Sequence, residues 1–113
     1  MAGILVDGVS NVRSLVYANT SAVTAGQIIV INGQVFMAVN AADANVLNVY
    51  IYQGRITFVK NAGEAMAPGE LIYWDATAGE ATKVSTDNTK IGICLEDAAS
   101  AATSVLVMLR EKI

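Results

Sequence analysis

Short apolar runs, each closed by Gly, Pro, Asn or Asp and recurring roughly every ten residues, set the architecture of this chain. Gln27-Ile28-Ile29-Val30-Ile31, Gln34-Val35-Phe36-Met37-Ala38-Val39 and Val46-Leu47-Asn48-Val49-Tyr50-Ile51-Tyr52 are examples. No window sustains the 3.6-residue period of an amphipathic helix, so helices are not available to build a core. The cadence points to an all-β fold, a small antiparallel barrel or sandwich with little helix. At 113 residues the chain is one domain.

Asn32-Gly33 between two apolar runs predicts a two-residue hairpin, since both residues tolerate the positive φ of a type I′ turn. Residues 12–17 read as a strand before it. The small residues 40–45 read as a connection, with one helical turn an option. Gln53-Gly54 reads as the turn of a second hairpin between 46–52 and 55–60. In the latter run Ile56, Phe58 and Lys60 share one face and Arg55, Thr57 and Val59 the other. Residues 90–96 and 103–110 are the last two strands. An internal repeat is suggested where Ala25-Gly26-Gln27-Ile28-Ile29-Val30 parallels Pro68-Gly69-Glu70-Leu71-Ile72-Tyr73, and where 35–51 parallels 91–107.

The stretch Asn61-Ala-Gly-Glu-Ala-Met-Ala-Pro-Gly-Glu-Leu-Ile-Tyr-Trp-Asp75 carries the only Pro and the only Trp. Pro68 presets φ for a tight turn and Gly69 suits its third position. Residues 70–75 then read as a strand, in which Trp74 is core or intersubunit packing rather than a ligand platform. Gly63-Glu64-Ala65, Gly69 and Leu71-Ile72-Tyr73-Trp74-Asp75 are followed by the threonine-rich link 81–89, Lys90-Ile91-Gly92-Ile93 and Val105-Leu106-Val107. In this order they resemble the small capsid cement, or decoration, proteins of tailed bacteriophages and prophages. The resemblance covers roughly residues 20–110 and is weaker over the first fifteen or so.

What the resemblance implies is a β-tulip-like domain at 16–113 behind an N-terminal arm at 1–15. It also implies a non-enzymatic homo-oligomer, with a trimer favoured over a dimer although strand edges serve either closed symmetry, that binds the phage major capsid protein on the outside of the expanded shell. Such a protein is part of the virion, assembled in the bacterial host cytoplasm, and resists the pressure of packaged DNA.

The residue chemistry agrees with a protein that binds rather than reacts. There is no histidine, hence neither the commonest general base nor the commonest transition-metal ligand. The single Cys94, between Ile93 and Leu95, reads as a small buried hydrophobe and permits no intrachain disulfide. Glu64, Glu70, Asp75 and Asp87 show no calcium-loop spacing and read as solvated turn residues, so neither metal nor cofactor is expected. Net charge is −3 with scattered cations, which argues against nucleic acid and against an anionic membrane surface. No apolar run reaches the length of a membrane span, and the first residues lack a secretory pattern, so the chain reads as made and used without secretion.

Charged residues make up only 15% of the chain, too few to cover a small monomer, where roughly a quarter is usual. Strands apolar on both faces deepen the deficit. Either loops cover their outer faces, or Tyr50, Tyr52 and an apolar N-terminal patch, Ile4-Leu5-Val6, bury against other chains. Ile4, Leu5 and Val6 either pair at a sheet edge or reach onto a neighbour. With Tyr50, Tyr52 and Trp74 they are the expected oligomer or capsid contacts. The rival expectation is a small ligand-binding β-barrel with a pocket near Trp74 and Tyr73.

Overall fold

The computed structural model describes residues 3–5 and 12–111. It is all-β, with nine strands and no helix among the described residues: β1 Gly3–Leu5, β2 Arg13–Ala18, β3 Ile28–Ile31, β4 Gln34–Ala38, β5 Leu47–Val59, β6 Leu71–Asp75, β7 Glu80–Thr82, β8 Thr89–Cys94 and β9 Ser104–Leu109. The strands join in the order β3-β4-β5-β9-β8-β6-β7, and β1 and β2 pair with β5 off that path. Every strand pairing is antiparallel, and a parallel bridge from Lys60 to Ala81 brings the far end of the sheet back to the end of β5. The sheet therefore curls into a barrel-like wall.

The Asn32-Gly33 hairpin forms as expected, with φ of 51° and 79° at its two turn residues. Gln53-Gly54 does not turn. Both flanking runs belong to one thirteen-residue strand, β5, and Gly54 at φ 149° redirects it without reversing it. Before Gly54 the strand lies between β2 and β4; after it, between β1 and β9. A side chain is disfavoured at such a φ, which is why a glycine stands there. Residues 40–45 form a bend, an isolated bridge at Ala42 and a turn rather than a helical turn. The threonine-rich link begins with a strand that composition concealed. Asp75 Oδ1 accepts the N–H groups of Thr77 and Ala78, both at 3.0 Å, and the turn so formed lays β7 antiparallel on β6.

The internal repeat is real and longer than the sequence shows. Ile28 lies opposite Met37 as Leu71 lies opposite Ile93, and Ala38 opposite Tyr50 as Cys94 opposite Val107. The connecting bonds repeat as well. Gly26 N–H donates to Ala38 O and Gly69 N–H to Cys94 O, and Val23 exchanges bonds with Ala42 as Met66 does with Ala98. Residues 13–52 and 54–109 are thus two copies of one four-strand unit, fused within β5, the second carrying β7 as an insertion.

Two apolar clusters follow from this layout. The larger fills the barrel with Ile56, Phe58, Ile72, Trp74, Ile91, Val107 and Leu109, and Phe58 packs on Trp74 at 5.9 Å between ring centroids. The smaller lies on the opposite face of the first unit, where Val23, Phe36, Ala38 and Tyr50 gather under the loops carrying Val23 and Ala42.

Candidate assembly surface

The longest run of uncovered apolar groups is on β2 and the residues beside it, although Leu71 and Ile93, opposite each other on β6 and β8, and Val84 are exposed as well. β2 hangs on one edge of β5, with five of its six residues exposed and the sixth half-buried. Because antiparallel neighbours share a face, Leu15 and Tyr17 lie on the side of Tyr50, and Val16 on the side of Val49. Both faces thus carry solvent-facing apolar side chains, with Val16 at 64% exposure. The surface continues past the end of the strand. Leu47, opposite Ala18, is 71% exposed and borders, with Val46, a shallow basin floored by Ala22, Ala41 and Ala42. Arg13 is the only charged side chain on β2.

The expected contact residues scatter relative to this surface. Tyr50 is 1% exposed and Trp74 4%, so both rings belong to the interior of a single chain. Tyr50 packs edge-on against Tyr17 at 6.1 Å, and half-buried Tyr52 does the same against Phe36. Ile4 and Leu5 lie in β1, opposite Thr57 and Ile56. Val6 lies outside the described residues. Val16, Leu47 and Val46 were missed by sequence reasoning, although the lack of polar alternation in 15–17 was a usable signal.

The carboxylates act as turn clamps. Glu64 accepts from Asn61 Nδ2, Thr82 Oγ1 at 2.7 Å and Lys83 N–H at 2.7 Å, tying the turn after β5 to the end of β7. Glu70 accepts the Ala67 N–H at 2.8 Å, and this bond, aided by Lys83 at 3.4 Å, holds its carboxyl below the usual range. No group of three His, Cys, Asp or Glu among the described residues could hold a metal. Burial pushes the Cys94 thiol up, and the thiol donates to Glu96 O, so it is not poised as a nucleophile. The open groove that reaches Trp74 is lined largely by β3. Two of its polar side chains already serve their own loop: Asn19 bonds Ser21 O, and Gln27 accepts from Thr24 N–H. A ligand would find few convergent polar groups there.

Fold and surface together define a class: a small, internally duplicated all-β domain with an apolar strand edge open to solvent. The chain belongs to the phage cement protein family, whose model matches residues 9–109. No curated protein and no solved structure matches it. Membership implies association with the phage capsid.

Proposed function

We propose that this protein is a non-enzymatic cement that self-associates, as a trimer by family resemblance, and seats on the outer surface of the expanded major-capsid shell. The observation that carries the reading is β2, exposed and apolar on both faces in a chain with 15% charged residues. Scattered single hydrophobes are ordinary on a monomer, but a contiguous strand with Val46 and Leu47 beside it marks a contact surface. Of the expected arm at 1–15, β1 is engaged on β5 of its own chain and residues 13–15 belong to β2, so the contact falls to β2 and the residues beside it.

The mechanism is linkage. A ligand that binds the expanded shell and not its precursor favours the expanded state by its binding free energy, about 2.7 kcal/mol per site at a hundredfold excess over Kd. Many sites on one shell make the effect cumulative and oppose the outward pressure of packaged DNA.

The test is co-sedimentation of the purified protein with DNA-free expanded shells of its own phage and, separately, with unexpanded precursors. Saturable pelleting with expanded shells alone is the expected result. A protein that remains in the supernatant with both, or that pellets equally with both, would sink the proposal.

A further inference from the structure

Among the described residues, the duplication leaves one strand without a neighbour that its counterpart has. β2 corresponds to residues 54–59 of β5. Leu15 lies opposite Tyr50 as Ile56 lies opposite Val107, Val16 opposite Val49 as Thr57 opposite Leu106, and Tyr17 opposite Asn48 as Phe58 opposite Val105. In the second unit both edges of this strand are occupied. β9 takes one and β1 the other, with Ile4 opposite Thr57. In the first unit β5 takes one edge, and among the described residues nothing pairs with the other. Among those residues, the position that β1 fills on Thr57 is open on Val16.

The open edge also presents its hydrogen-bonding groups. Val49 O accepts from Val39 N–H on the β4 side, so the polar groups of Val49 turn away from β2. Val16, directly opposite, is then in a non-hydrogen-bonded pair, and its own N–H and C=O point outward. Asn19 O accepts from Asn45 N–H on the inner side, in keeping with the same alternation. Ser14, Val16 and Ala18 therefore offer a row of N–H and C=O groups to an incoming strand. Sheet edges are ordinarily guarded by Lys, Pro or a very short strand. β2 has six residues and no Pro, and its one charge, Arg13, stands at its first position, away from Val16.

We propose that β2 pairs antiparallel with β2 of a second copy of this chain, about a two-fold axis at Val16. Self-complementarity selects this occupant. With the axis at Val16, Val16 meets Val16, Leu15 meets Tyr17 on the other face, and Ser14 meets Ala18. The three outward-pointing positions then pair with one another through six backbone hydrogen bonds. Arg13 falls opposite Asn19, so no like charges oppose. An axis at Leu15 would instead set Ser14 against Val16 and Arg13 against Tyr17. The contact deepens the assembly surface assigned under the proposed function, but it is tested without shells. It is isologous, so it serves a dimer or the contact between two neighbouring trimers.

The experiment is disulfide trapping of the full chain carrying Val16→Cys, with oxidised glutathione as the electron acceptor. Val16 is exposed, so the substitution leaves the fold intact, and buried Cys94 contributes no competing thiol. Two Cα atoms across a hydrogen-bonded antiparallel pair lie at about 5.5 Å, within disulfide reach. A covalent dimer should form about tenfold faster than from Leu47→Cys, which is more exposed but lies off the axis, the gain coming from local concentration. Val16→Lys, which sets two ammonium groups at the axis, should lower the mass measured by light scattering. Equal trapping rates at 16 and 47, faster trapping through Leu15→Cys, or an unchanged mass with Val16→Lys would overturn the pairing. A trapped dimer that does not pellet with expanded shells would sink the cement reading and leave the strand pairing standing.

Discussion

Gly92→Ala should remove a large part of the fold's stability. Gly92 sits in β8 opposite Leu109 of β9 with φ 159°, and a Cβ added there would stand 1.8 Å from the carbonyl oxygen of Met108. That atom is backbone, held in the β8–β9 ladder, so no side-chain rotation relieves the overlap. The strands would have to separate at the centre of the barrel wall, beside Ile91 and Val107, both among the least exposed residues of the chain. Overpacking of this kind, added to backbone strain, costs on the order of 4 kcal/mol or more. A small domain has about 5–15 kcal/mol in all. The repeat supplies an internal control. The corresponding position in the first unit is Phe36, opposite Ile29 as Gly92 is opposite Ile72, and it carries a full aromatic ring packed on Tyr52. Phe36→Ala should therefore remove packing without blocking strand pairing. Circular dichroism and urea titration of the two variants check the contrast: both midpoints fall, but only Gly92→Ala should also weaken the strand signal, because it forces β8 and β9 apart, whereas Phe36→Ala leaves a packing void within an intact sheet.

Lys60→Met is the second large effect, and it depends on hydrogen bonding rather than volume. Lys60 is 2% exposed at the end of β5, where its Nζ donates to Asn61 O at 2.8 Å, Ser100 O at 3.2 Å and Ala102 O at 3.1 Å. Three ammonium protons meet three carbonyls, so the charge is solvated by backbone in place of water. Its own N–H also donates to Thr103 O, so one residue ties the β8–β9 loop to the end of the long strand. Methionine fills a similar volume and removes every side-chain donor. The carbonyls left behind regain only part of their hydration, a loss of roughly 2–4 kcal/mol. For a domain of this size that lowers the thermal midpoint by about 10–20 °C. Scanning calorimetry reads the shift, and Lys60→Arg should restore part of it, since the guanidinium offers donors in a different geometry.

These residues also show what the chain disclosed. The alternation of Ile56, Phe58 and Lys60 on one face was readable, and Lys60 is buried because it follows that face inward. What it does there depends on residues 100 and 102, forty positions away, and no local pattern announces that. The Asn32-Gly33 hairpin was legible because its turn chemistry is local. Gln53-Gly54 looked the same and behaved otherwise, because it lies at the junction of the two repeats, where β4 and β9 continue one β5 edge end to end. β7 was hidden by polar composition, although Asp75 and Gly79 bracketed its turn. Trp74 as packing was readable, whereas the exposed surface was not. Tyr50 and Val16 are both apolar residues in apolar runs, and only the loops carrying Val23 and Ala42, which cover one face of the first unit and leave β2 bare, separate core from surface.

Stabilisation of the expanded capsid by this protein can be read from calorimetric melting of expanded shells of its own phage, with and without saturating protein. The shell transition should move to higher temperature, and the shift should grow with protein concentration, as linkage requires. A shell transition that stays at the same temperature at every occupancy would contradict it.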